Sequence, residues 1–108
     1  MLTSATRNDA LAVLTHHMGK HNGIRADQLA KLLSVPERRL RNVISALRSE
    51  GIAVCGHPST GYYIAETAAE LEDTCQFLRS RAMHSLVIES RLRQIPLPDL
   101  LGQLHLKT

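Results

Sequence analysis

Four arginines, Arg38, Arg39, Arg41 and Arg48, fall within residues 37–50, together with Asn42, Ser45 and Ser49. Arginine presents a planar fork of donors that fits guanine O6 and N7 or a phosphate, and asparagine fits adenine N6 and N7. Side chains of these types, carried on one exposed helical face, can read base edges in a major groove. On a helical wheel Leu40, Val43, Ile44 and Leu47 gather on one side, and Arg38, Arg41, Asn42, Ser45 and Ser49 on the other. The polar side is therefore the expected reading face, with Arg39 and Arg48 on its flanks as phosphate contacts. Six residues further on, the tip of a turn-rich stretch offers His57, Ser59 and Thr60 as weaker, uncharged donors to phosphate.

Other chemistry is poorly supported. His17 and His21 have the i, i+4 spacing that would put two imidazoles on one helix face, but no third ligand is placed by spacing and Gly19 lies between them. They are expected to be surface histidines, and no metal or other cofactor is expected. Ser, His and Asp all occur, yet no nucleophile elbow, phosphate loop or paired acidic motif does, so no enzyme is expected. With no Trp, one Phe and only Tyr62 and Tyr63 besides, a base-stacking sheet for single strands is not expected.

The elements that must carry these residues follow from hydrophobic spacing and punctuation. Ala10, Leu11, Leu14 and Met18 predict a first helix over about residues 6–20, closed by Gly19 and Gly23. Leu29, Leu32 and Leu33 predict a short second helix, Ala26–Leu33. Ser34 and Glu37 have the spacing of a capping box and Pro36 suits a first turn, so a third helix is expected from there to Glu50, with Gly51 as its stop. Residues 52–55 and 62–64 are β-prone and flank a stretch of turn formers, which predicts a hairpin. A long helix follows over residues 67–95, until Pro96 and Pro98.

The order helix, helix, basic helix, hairpin is the plan of a winged helix-turn-helix. The expected fold class is mainly α with a small β-hairpin (α+β), a winged helix-turn-helix with a long C-terminal helix. Its domains are residues 1–65, binding DNA, and 66–108, a C-terminal helix and apolar tail. Charge follows the same division. Residues 1–64 hold eight Lys and Arg against four Asp and Glu, whereas the remainder holds five against six. Attraction to a polyanion thus belongs to the first part.

The tail has a different use. Leu71, Cys75, Leu78, Ala82, Leu86 and Leu92 run along one general side of the long helix, and Phe77, Met83, Val87 and Ile88 widen it beyond a strict heptad seam. The helix either packs back across the first helix as a lid on a single core or pairs with its copy in a second chain. A homodimer is the favoured expectation, with the leucines after Pro98 latching onto the partner. Two recognition helices would then read an inverted repeat whose half-site centres lie about 10 to 10.5 base pairs, or a multiple, apart.

Residues 23–66, "GIRADQLAKLLSVPERRLRNVISALRSEGIAV" followed by "GHPSTGYYIAE", resemble the DNA-binding winged helix of the biotin operon repressors and small bacterial and phage winged-helix regulators. The matching features are "QLA" and "LL" in helix 2, "L..VI..LR..GI" in helix 3, and "GYYI" returning from the wing. The resemblance covers under half of the chain and rests mostly on fold residues. It implies that Arg38, Arg41, Asn42 and Ser45 occupy recognition-helix positions and that Gly61 and Tyr62 end the wing. The large ligase domain of biotin repressors is missing, so biotin chemistry is not carried over.

Length and composition agree with this scale. A chain of 108 residues and 12.0 kDa fits one small domain with an appended element, and its 44% hydrophobic and 21% charged residues suit a folded protein. The pI of about 9.2 favours an anionic partner. The longest apolar run, residues 10–14, is far too short to span a membrane, and Cys55 and Cys75 have no metal or redox spacing. A cytoplasmic protein with reduced thiols and no membrane partner is expected. The leading expectation is a dimeric, sequence-specific regulator of transcription that binds double-stranded DNA, encoded by a phage or mobile element. The alternative is a winged-helix protein-interaction module, a small inhibitor or adaptor docking an acidic surface of a protein partner.

Overall fold

The computed structural model describes residues 4–106, in the order α1 (Ser4–Leu14), a 3-10 turn (Lys20–Asn22), α2 (Ala26–Leu33), α3 (Glu37–Ser49), β1 (Val54–His57), β2 (Gly61–Ile64), α4 (Ala68–Leu92) and α5 (Leu97–Gln103). This is a mainly helical α+β chain with a winged-helix layout and a long C-terminal helix. It divides into two compact units, Met1–Thr74 and Cys75–Thr108, with α4 running unbroken through both.

In the first unit α1 and α2 both pack on α3. Leu40, Val43, Ile44 and Leu47 of α3 are buried against Ala10, Leu14, Ile24, Leu29, Ala30 and Val54. Full burial of a Leu or Ile side chain is worth about 1.5–3 kcal/mol, so this cluster supplies most of the drive to close the unit. The inward face of α2 is Leu29, Ala30 and half-buried Leu33, at steps of one and three. Leu32, expected on that face, is 63% exposed, since it lies about 100° away from Leu33 around the helix.

Two expected helix ends are corrected. α1 stops at Leu14, not near residue 20, because the backbone after it is claimed by β2. Ile64 N–H donates to the His17 carbonyl (2.9 Å), Gly19 N–H donates to the Ile64 carbonyl (2.9 Å), and Met18 bridges Ile64. His17 and His21 therefore share no helix face, and His17 Nδ1 meets the Asn22 carbonyl at 2.8 Å. The capping box at Ser34 and Glu37 does not form either. Ser34 is spent ending α2 in the left-handed region (φ 55°), where its N–H reaches Lys31 O and Val35 N–H reaches Ala30 O. The N-cap of α3 falls to Pro36, whose carbonyl accepts from Leu40 N–H. The expected stop at Gly51 does form. Its φ of 85° lets Gly51 N–H reach Arg48 O and Ile52 N–H reach Leu47 O.

β1 and β2 pair antiparallel, Val54 opposite Ile64 through His57 opposite Gly61. A reciprocal pair of backbone bonds between Ile24 and Tyr62 (2.7 and 2.8 Å) clasps this hairpin to the segment before α2. A helix cap that sequence reasoning passed over lies at Thr67 and Glu70. Thr67 Oγ1 accepts from Glu70 N–H (3.1 Å), and the Glu70 carboxylate accepts from Glu66 N–H and Lys20 N–H (2.8 Å each), tying the start of α4 to the 3-10 turn.

These donors, Glu66 N–H first, hold the Glu70 carboxyl below the usual carboxylate range. A carboxylate with a depressed folded-state pKa stabilises fully above its unfolded pKa, and that stability is lost as pH falls through the folded value. Acidification below about pH 4.3 should therefore weaken the fold in part through this residue. Glu70→Gln should flatten the acid limb of a stability-against-pH curve measured by urea denaturation; an unchanged limb would remove Glu70 from this role.

In the second unit Leu100 and Leu101 are 1% and 2% exposed, and Ser90, also buried, donates through Oγ to Val87 O (2.7 Å). These two leucines are thus buried within their own chain rather than left as a latch, while Leu104 and Leu106 stay exposed. Among the described residues no helix is long and apolar enough to cross a membrane.

Candidate nucleic-acid interface

The three residues between α2 and α3 set the site. Ser34 turns the chain sharply, Pro36 fixes φ at −65°, and α3 leaves with its apolar stripe against the core. Burying Leu40, Val43, Ile44 and Leu47 at i, i+3, i+4, i+7 commits the opposite face to solvent. Arg38, Arg41, Asn42 and Ser45 are all exposed there, with Arg38 and Arg41 in the first turns. Arg39 is exposed on the flank, one position from buried Leu40. Among the described residues, Arg38, Arg39 and Arg41 make no ion pair and no side-chain hydrogen bond. Their donor forks remain available. By contrast Arg7 is held by Glu50, Arg25 by Asp27 (3.4 Å), and Arg93 by Glu89 (2.7 Å).

Arg48, expected to touch phosphate, is placed differently. It is half-buried, and its Nε donates to the Val54 carbonyl at 2.7 Å, which fastens the end of α3 to β1. Part of its donor set is spent on the fold. The hairpin tip is also internally bonded. Thr60 N–H donates to His57 O (3.0 Å), His57 Nδ1 meets Ser59 Oγ (2.8 Å) and Ser59 N–H (3.2 Å), and Thr60 Oγ1 donates to Gly61 O (3.1 Å). His57 and Ser59 are exposed and Thr60 half-buried. The tip is a shaped turn whose polar atoms first serve the turn itself.

No family model, curated protein or solved structure matches this chain. The site is therefore carried by its own geometry.

Two exposed residues beside the face were not singled out from the sequence. Glu37 stands in the first turn of α3, next to Arg38 and Arg41, as an acceptor able to take a cytosine amino group. Lys31, exposed in the last turn of α2, adds a cation beside the same turn. The signal for both was the residue type at the rim of the turn, which becomes readable only once the turn is placed.

The six residues expected to pair two chains also have definite places. Leu71, Cys75, Leu78, Ala82 and Leu92 are exposed along α4, and Leu86 is half-buried. Cys55 is buried, Cys75 exposed, and both are free thiols.

Proposed function

We propose that this chain is a non-enzymatic regulator of transcription that binds double-stranded DNA sequence-specifically in the cytoplasm. α3 enters the major groove with Arg38, Arg41, Asn42 and Ser45 toward base edges, Arg39 holds phosphate, and the β1–β2 hairpin rests against the backbone with His57, Ser59 and Thr60. The observation that carries this reading is the exposed polar face of α3, opposite a closed core, whose arginines are not consumed by the protein's own acids. Base readout requires such a set of unspent forks and an amide on one exposed face.

Selection of bound sequences from a random double-stranded library tests it directly. An enriched motif is the expected result. Binding should also fall steeply with salt: contact with about three phosphates per chain gives a log–log slope near −3 per chain, or about −5 for a pair of chains. A library that returns no motif, together with a salt-insensitive protein partner from a pull-down, would favour the adaptor reading instead.

A further inference from the structure

The exposed residues of α4 follow a stricter rule than its whole apolar set. Leu71, Cys75, Leu78, Ala82, Ser85 and Leu92 fall on one line at steps of four and three residues, the spacing of a coiled-coil seam. All six are exposed, with Leu71, Leu78 and Leu92 at 42%, 41% and 79%. Half-buried Phe77, Met83 and Val87, which widen the stripe, lie on another side of the helix, whereas Ile88, 46% exposed, flanks the seam. What is left uncovered is a seam edged by Ile88, with a small-residue centre at Ala82 and Ser85, where two helix backbones can approach closely.

Charge along the helix says what covers it. Glu70, Glu72 and Asp73 sit at its start, Arg79, Arg81 and Arg91 follow, and Arg93 lies just past its end. Glu89, at 2.7 Å from Arg93, takes the one remaining seam position. Parallel pairing of two copies would place the acidic starts together and set Glu89 against its own copy inside the seam, which costs stability. Antiparallel pairing sets Cys75 opposite Leu92 of the second copy and Ala82 opposite Ser85. It also sets Leu78 opposite Glu89, whose carboxylate Arg93 already holds, brings the acidic start of one helix toward the basic end of the other, and lays the Arg79 stem along Leu86.

We propose that this seam of α4 binds the same seam of a second copy of the chain, antiparallel and centred between Ala82 and Ser85. The pairing goes beyond the DNA reading and does not need it, so it is tested without DNA.

Sedimentation equilibrium of the full chain at tens of micromolar should give a dimer, and a monomer would overturn the proposal. Leu78→Glu, at an exposed position, should keep the helical circular dichroism and weaken the dimer at least about tenfold; an unweakened dimer would move the interface elsewhere. Orientation is read by copper-phenanthroline oxidation. In the antiparallel pair two Cys75 residues lie roughly 25 Å apart along the axis, beyond the ~7 Å that a disulfide can span. The wild-type chain and the Leu92→Cys/Cys75→Ser variant should therefore stay uncross-linked, while Leu92→Cys with Cys75 retained should form a covalent dimer. Cross-linking of the wild-type chain through Cys75, or none in the Leu92→Cys chain, would overturn the antiparallel arrangement.

Discussion

Replacing Gly61 by alanine should cost the full chain about 3 to 4 kcal/mol of stability, a large share of the 5–15 kcal/mol of an ordinary domain. Gly61 has φ 76°, a region where a Cβ costs about 1–2 kcal/mol. Here the Cβ would also stand 2.3 Å from the Ile24 carbonyl oxygen, 2.6 Å from its carbon and 2.9 Å from Arg25 N, all backbone atoms that cannot swing aside. Relief requires the hairpin to move off residues 24–25, which breaks both Ile24–Tyr62 bonds at about 1 kcal/mol each. Gly51 is the control, because its φ is 85° but nothing lies within 4 Å of its Cβ position. Gly51→Ala should cost only about 1 to 2 kcal/mol. Urea denaturation of the two variants decides the matter: equal losses would mean that the clasp between the hairpin and residues 24–25 contributes nothing beyond the backbone conformation.

That clasp also explains where sequence reasoning stopped. α3 was legible because its evidence is local: the four core residues at helical spacing, the arginines opposite, and Gly51 after the last turn all lie within one short segment. The short α2 and the hairpin were legible for the same reason. The end of α1 was not, since Met18 continues the apolar spacing and only a partner 46 positions away, Ile64, draws it into a bridge. The Ser34–Glu37 spacing was misread, and Thr67–Glu70 passed over, for a related reason. Ser34–Glu37 and Thr67–Glu70 look alike as strings, but Ser34 ends a helix two residues before Pro36 and has no freedom to cap the next one. Thr67 follows a strand and is free to do so. Arg48 has the residue type and the wheel position of a phosphate contact, and only the return of β1 past the end of α3 supplies the carbonyl that engages it. On α4, composition shows many apolar residues. Separating those turned inward from the exposed seam requires the burial of each one.

The strongest expected effect on function is a division between variants of neighbouring residues on α3. Arg38→Ala and Asn42→Ala should each flatten the base preference at one position of the selected motif, by about 1 to 3 kcal/mol, because a lost bidentate contact no longer distinguishes its base from the others. Arg39→Ala should lower affinity for all sequences alike and reduce the salt slope by about 1, since a phosphate contact carries no sequence information. The three side chains are all exposed, so none of these changes should lower the unfolding midpoint. Arg48→Ala should lower it, because the Val54 carbonyl loses a charged donor at 2.7 Å. Quantitative binding to the selected motif and to each of its single-base variants, at two salt concentrations, separates the classes. Unchanged preferences in both the Arg38 and Asn42 variants would remove this face of α3 as the reader. Selective losses confined to the Arg39 variant would mean that α3 lies in the groove rotated toward its flank, with Arg39 at the bases and Arg38 on the backbone.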